Sequence, residues 1–193
     1  MPVNLTKGQK VSLTKENPGL QEVVVGLGWD ANSFDTGADF DLDASAFLLT
    51  NTGKVSSSSD FVFYGNTKDP AGSVMHMGDN RTGAGEGDDE QIKVNLTAVP
   101  ANIERIAFTV TIYEAEKRNQ NFGQVRNAFI RIMNGQTGEE LLRYDLDEDF
   151  SIETSVVFAE VYRHNGEWKF NAIGAGYQGG LAALCNNYGV EVE

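Results

Sequence analysis

Apolar residues recur at every second position over much of this chain, which is the spacing of half-buried β-strands. Eight segments follow this pattern and are predicted to be strands: residues 23–27, 40–49, 61–64, 103–113, 128–133, 141–146, 156–162 and 168–173. Asn165-Gly166 separates the last two strands and predicts a tight hairpin turn between them. Short helices are predicted at 114–120 and at 181–188. The pattern therefore predicts an all-β fold, mainly an antiparallel β-sandwich with one or two short helices, including a C-terminal one.

The composition limits the classes of function that this chain can have. Its 193 residues include 15 Lys and Arg against 28 Asp and Glu, giving a net charge of −13. This charge disfavours nucleic acid as a partner, because phosphates would be repelled. No run approaches the roughly 18 apolar residues of a membrane span, so no direct membrane insertion is expected. One domain over residues 1–193 is predicted. No secretory signal is visible at the N-terminus, and Cys185 has no second cysteine to pair with, so we expect a cytoplasmic location.

Alternating carboxylates in the predicted strand at 40–49 provide the first candidate chemistry. Asp39, Asp41 and Asp43 stand at every second position, so in an extended strand they point to the same side. Three like charges on one face repel each other, and Asp is uncommon in strands. A hard cation such as Ca²⁺, which prefers oxygen ligands, removes that repulsion. Asp30 ends the preceding strand, and we expect that strand to pair with this one and bring Asp30 close to it. The simpler alternative is a solvated strand face.

The glycine-rich segment 78–90 is the second candidate metal-binding segment. It offers carboxylate and amide oxygens, and its glycines allow backbone carbonyls to turn inward. The candidate ligands in it are Asp79, Asn80, Glu86, Asp88, Asp89 and Glu90. Neither acidic segment matches an EF-hand, because other residues occupy positions at which the EF-hand loop requires a particular residue. The alternative for this segment is a mobile acidic turn.

Four sequence strings carry a resemblance to a known family. They are residues 26–30 (GLGWD), 39–45 (DFDLDAS), 78–90 (GDNRTGAGEGDDE) and 162–170 (YRHNGEWKF). They closely resemble the bacterial tellurium-resistance TerD family, also called calcium-binding stress proteins, and the likeness extends over essentially the whole chain. The family's acidic signature maps onto Asp30, Asp39, Asp41, Asp43, Asp79, Asn80, Glu86, Asp88, Asp89 and Glu90.

The resemblance implies a β-sandwich with two adjacent Ca²⁺ ions and a role in resistance to tellurite and to phage or colicin stress. It also implies other tellurite-resistance proteins as partners, including membrane-bound ones that would place the chain at the periphery of the inner membrane. We expect a non-enzymatic protein with no catalytic residues. Two alternatives stay open: a metal-assisted hydrolase that uses the clustered carboxylates, and a structural stress protein whose ions serve only folding.

Overall fold

The computed structural model describes residues 2–31, 41–77, 88–146 and 152–191, and these residues form twelve strands and three short helices. The strands are β1 Val3–Leu5, β2 Lys10–Ser12, β3 Glu22–Ala31, β4 Leu42–Leu49, β5 Phe61–Val62, β6 Val74–His76, β7 Glu90–Asn95, β8 Arg105–Ile112, β9 Val125–Asn134, β10 Glu140–Asp145, β11 Ser155–His164 and β12 Glu167–Tyr177. The helices are α1 Leu13–Glu16, α2 Ala115–Arg118 and α3 Gly180–Tyr188. Within the described ranges, no helix combines the length and the apolar character needed to cross a membrane.

The strands form two six-stranded sheets that pack face to face. The first sheet has the order β1-β10-β9-β3-β7-β6, and the second has the order β2-β12-β11-β8-β4-β5. Neighbouring strands are antiparallel, except that β1 runs parallel to β10. The predicted sandwich and its C-terminal helix are therefore confirmed, with a mixed first sheet.

One apolar core fills the space between the sheets, and a smaller one lies outside the second sheet. Val25 and Ile130 of the first sheet share the main core with Phe108 and Phe158 of the second. On the outer side of the second sheet, Phe47 and Val157 pack with residues of α3. All eight residues of β4 are consequently buried, and this strand has no solvated face. The solvated-face alternative for the part of this strand that carries Asp43 is thus wrong.

Each of the eight predicted strands overlaps an observed one, and the Asn165-Gly166 hairpin is confirmed. Asn165 and Gly166 have φ values of 50° and 76°, the left-handed pair that a two-residue turn of this kind requires. Four observed strands were not predicted: β1, β2, β6 and β7. Three of these have only three residues each, too few for an alternating pattern to stand out. The fourth, β7, begins with Glu90, which the sequence had suggested to be part of a loop.

The expected pairing between the strand that ends near Asp30 and the strand of Asp43 is wrong. The strand β3 lies in the first sheet between β9 and β7, whereas β4 lies in the second sheet between β8 and β5. Local sequence order suggested a hairpin, but the chain changes sheets between these two strands. The end of β3 pairs instead with β9, because Asp30 lies opposite Arg126, and on its other side β3 pairs with β7 as far as Leu27 and Glu90.

Candidate metal centre

The consecutive carboxylates Asp88, Asp89 and Glu90 make contacts in three different directions. They lie where the chain enters β7 and begins to pair with β3. The Asp89 amide donates to the Leu27 carbonyl at 2.8 Å, which fixes this segment against β3. The sequence treated the three residues as one group of ligands, so their separate contacts show what each carboxylate can do.

The Asp88 carboxylate is held in an ion pair on the first sheet. Arg131 Nε donates to Asp88 Oδ1 at 2.7 Å, and Arg131 Nη2 donates to Oδ2 at 2.9 Å. Gln91 Nε2 adds a third hydrogen bond to Oδ2, also at 2.9 Å. The Asp88 side chain is only 2 % exposed. The hydrogen bond with Asp88, opposed by partial burial, raises the pKa of the Arg131 guanidinium and keeps it charged.

Gly26 explains how this ion pair fits against the sheet. In the strand register, Gly26 is the neighbour of Arg131 on one side and of Gln91 on the other. A Cβ atom at this position would overlap the Asp88 carboxylate. The absence of a side chain on Gly26 therefore provides the space in which the carboxylate lies between its two donors.

Asp89 lies at the end of β3 and is crowded by negative charge. The Trp29 amide donates to Asp89 Oδ2 at 2.8 Å. Burial raises the pKa of Asp89, the Trp29 hydrogen bond lowers it, and the charges of Asp30 and Asp88 raise it further, with a net upward shift. Asp30 is exposed, and its Oδ2 accepts a hydrogen bond from Asn127 Nδ2 at 2.7 Å. A carboxylate in such surroundings gains from a nearby cation.

Glu90 connects the two sheets instead of belonging to a loop. It is 2 % exposed, and its Oε2 accepts a hydrogen bond from the Ala44 amide at 2.6 Å. The same oxygen lies 3.3 Å from Nε2 of His76, which is also buried. Ala44 belongs to β4 of the second sheet, and Glu90 and His76 belong to the first. The side chain of Glu90 thus fixes one edge of the sandwich.

Asp41 and Asp43 belong to the other sheet. The Asp41 carbonyl accepts a hydrogen bond from the Tyr113 amide at 2.8 Å, just before β4 begins. Asp43 pairs in register with Thr111 and is 5 % exposed. It lines a cleft of about 440 Å³, together with Glu114 and Thr154. Asp43 therefore faces the side of β4 that α3 covers further along, away from Leu42 and Ala44 in the main core.

The predicted ligands thus fall into three groups. Some lie on or beside the first sheet, some on or beside the second, and the rest belong to residues that the structure does not describe. Asp39, Asp79, Asn80 and Glu86 lie outside the described residues. Within residues 2–31, 41–77, 88–146 and 152–191, no three His, Cys, Asp or Glu side chains come together in a group that could hold a metal ion. Among the described candidates, Asp30 and Asp88 both lie close enough to Asp89 to raise its pKa.

The chemistry of these donors suits a hard cation. The predicted ligand set contains carboxylates and one amide, so every side-chain donor is an oxygen, and it includes no thiolate or imidazole. Ca²⁺ accepts six to eight such oxygens in irregular geometry, whereas zinc favours nitrogen and sulfur. The raised pKa of Asp89 also agrees with a place where a cation would relieve repulsion between carboxylates. The residues present therefore fit Ca²⁺.

Comparison of the sequence with known proteins assigns the chain to a known family. The model of the TerD domain family matches residues 1–188. The chain belongs to the TerD family. TerD relatives include General stress protein 16U of Bacillus subtilis (strain 168), 65% identical over 192 residues and covering 100% of both chains. Tellurium resistance protein TerD of Serratia marcescens is 58% identical over 193 residues, again covering 100% of both. The family is thus one of tellurium resistance and stress response.

A solved TerD homologue has the same fold. The crystal structure of a homologue of telluride resistance protein (TerD) from Streptomyces coelicolor A3(2) matches with a TM-score of 0.67 and 24% sequence identity. The match covers 86% of this chain and 95% of that one. At this identity the comparison supports the fold alone, and the double-sheet architecture agrees with it.

Sequence reasoning missed three residues that contact the candidate ligands. Arg131 holds Asp88, Asn127 holds Asp30, and His76 lies against Glu90. Arg131 stands between the buried residues Ile130 and Ile132, so the alternation predicts only that its side chain lies on the outer face of the strand. The sequence offered no comparable signal for the other two.

Proposed function

We propose that this TerD-family protein is a Ca²⁺-binding stress protein that contributes to resistance to tellurite and to phage or colicin stress. The names of its relatives describe tellurium resistance and general stress, which supports the resistance role. The observation that carries the Ca²⁺ proposal is the position of the Asp89 carboxylate, which is partly buried beside Asp30 at the end of β3; burial raises the pKa of Asp89, and the charges of Asp30 and Asp88 raise it further. A bound cation would relieve the repulsion among these charges.

The proposed ligands come from both acidic segments and from Asp30, and two ions share them. The described members are Asp30 and Asp89 beside β3, and Asp41 and Asp43 near the start of β4. The proposed side-chain set is completed by residues that lie outside the described ranges: Asp39, Asp79, Asn80 and Glu86. Backbone carbonyls of the glycine-rich segment add further oxygens, which Ca²⁺ requires to reach its usual coordination number.

The proposed mechanism is structural and not catalytic. Ca²⁺ ties the start of β4 to the segment before β7 and so sets a surface that partner proteins recognise. The partners proposed are other tellurite-resistance proteins, including membrane-bound ones, with this chain in the cytoplasm or at the inner membrane through those partners. The existing link between Glu90 and the Ala44 amide supports such coupling, because it already joins β7 to β4.

Calorimetric titration with Ca²⁺ and with Mg²⁺, after removal of metal by a chelator, tests this proposal. We expect two Ca²⁺ ions to bind, and Mg²⁺ to bind more weakly because it demands an octahedron and gives up its water reluctantly. Asp89→Asn is expected to weaken Ca²⁺ binding. Asp145→Asn is the matched control, since Asp145 is an exposed carboxylate of the same sheet that pairs with Arg143.

A second variant tests whether the two ions share ligands. Asp43→Asn is expected to weaken binding at both sites, because neighbouring ions share carboxylates. Loss of one site with the other at full affinity would contradict the shared arrangement. If the wild-type protein released no heat with Ca²⁺ and its thermal melt did not change, the Ca²⁺ proposal itself would fail.

A further inference from the structure

Asp88 has little remaining capacity to bind a cation. A carboxylate offers about four lone-pair positions, and three donors from Arg131 and Gln91 already occupy both oxygens of Asp88. The two bonds from Arg131 form the parallel fork that makes such pairs strong. A divalent ion on the same carboxylate would also lie close to the guanidinium charge, and the two cations would repel each other.

The ion pair instead fixes the position of the next residue. Asp88 lies over Gly26, with Arg131 on one neighbouring strand and Gln91 on the other. One residue further, the Asp89 backbone is bonded to Leu27. The Asp89 side chain is then placed where the Trp29 amide reaches its Oδ2. Movement of Asp88 would therefore shift the whole entry to β7.

We infer that Arg131 is a positioning residue for the Ca²⁺ site: it holds Asp88 over Gly26 and so aims the carboxylate of Asp89 at the ion, and Asp88 is not itself a ligand. This inference rests on the proposed function. It gives separate roles to two adjacent carboxylates that the sequence placed in one ligand set. Partners of this kind outside the ligand shell commonly set metal affinity through orientation.

The competing explanation predicts the opposite sign. If Asp88 were a ligand, Arg131 would compete with the ion for its oxygens. Removing the guanidinium would then free the carboxylate, make the site more negative and tighten Ca²⁺ binding. If Arg131 positions Asp89, the same removal weakens binding although the site becomes more negative.

The experiment is calorimetric Ca²⁺ titration of the metal-stripped full chain, carried out well below the melting temperature of each variant. Arg131→Met is expected to weaken Ca²⁺ binding by about tenfold, the lower end of the range for such outer partners. Arg131→Lys, which keeps the charge but loses the fork, is expected to restore part of that affinity. Arg105→Met is the control, because Arg105 is an exposed arginine of the second sheet that also pairs with a carboxylate, that of Glu160.

A double variant separates positioning from direct ligation. Asp88→Asn combined with Arg131→Met is expected to bind Ca²⁺ no more weakly than Arg131→Met alone. A further loss in the double variant would show that Asp88 is a ligand, and would overturn the inference. Unchanged or tighter binding by Arg131→Met would also overturn it.

Two further outcomes are distinguishable from these. If Arg131→Met does not fold, the comparison of Arg131→Lys with wild type carries the test, and equal affinities would overturn the inference. If the wild-type protein binds no Ca²⁺, the proposed function fails and the inference fails with it. Wild-type binding that is indifferent to Arg131 would refute only the inference.

Discussion

Gly26→Ala should destabilise the protein although alanine is the better strand residue. A Cβ atom at Gly26 would overlap the Asp88 carboxylate, which is buried beneath its donors. The carboxylate must then leave the position where Arg131 and Gln91 bind it. The substitution adds one methyl group, so its effect reports on this carboxylate and not on a loss of packing.

The expected magnitude follows from two opposing contributions. Separating a buried ion pair so that one charge remains uncompensated costs about 3–5 kcal/mol. Alanine in a strand is favoured over glycine by roughly 0.5–1 kcal/mol. Gly26→Ala should therefore lower the free energy of unfolding by about 2–4 kcal/mol. That loss is a large part of the free energy of unfolding of a typical folded domain, which is about 5–15 kcal/mol.

Urea denaturation in the presence of a chelator measures this effect without a contribution from metal. The decisive comparison repeats Gly26→Ala in an Asp88→Ala background, where no carboxylate remains for the new methyl group to meet. There the substitution should be neutral or should stabilise by about 0.5–1 kcal/mol. An equal cost in both backgrounds, or no cost in the wild-type background, would refute the steric argument and the role given to Gly26.

Three further predictions concern metal, pH and tellurite. Free Ca²⁺ at about 100 times its dissociation constant should stabilise the folded protein by roughly 2.7 kcal/mol for each independent site and raise the melting temperature by several degrees, with less effect from Mg²⁺. A melting temperature unchanged from that of the chelated control would contradict the metal proposal. Because the pKa of Asp89 is raised by folding, its contribution to stability is present below its ordinary pKa and is lost as pH rises through the folded value. Metal-free Asp89→Asn should thus match wild type in acid and exceed it near neutrality, and parallel curves of melting temperature against pH would count against this. The purified protein should not reduce tellurite, since Cys185 has no second thiol and no redox cofactor motif is visible; turnover above a Cys185→Ser control would show otherwise.

The central strands could be predicted from sequence because each buries alternate residues over a long enough run. In β7 the burial alternates over all six residues, yet its first residue, Glu90, looked like part of an acidic loop. Its carboxylate can be buried because it accepts a hydrogen bond from the amide of Ala44 in the other sheet. The two residues are 46 positions apart in the sequence. No local pattern reports a hydrogen bond between residues so far apart.

The two faces of β4 were predicted only in part. The alternation correctly placed Leu42 and Ala44 in the main core. It left Asp43 on a face expected to be open, but α3 and the segment after it cover that side of the sheet around Phe47 and Leu49. These two residues occupy the same alternate positions as Asp43, so the strand is apolar on both faces towards its end. Such a pattern is typical of a strand that is covered on both sides.

The divergence of Asp88, Asp89 and Glu90 determines how a site at this junction could act on the rest of the fold. Asp88 is fixed through Arg131 to β9, which lies on the far side of β3, and the Glu90 carboxylate is fixed to β4 by the hydrogen bond that the Ala44 amide donates to it. Asp89 stands between these two attachments and carries the crowded charge. A cation bound by Asp89 would therefore strengthen a segment that is already attached to both sheets. Loss of the cation would leave repulsion between carboxylates next to the point where the sheets are joined. Binding of the ion would therefore affect the stability of the whole sandwich and not only that of the ligand residues.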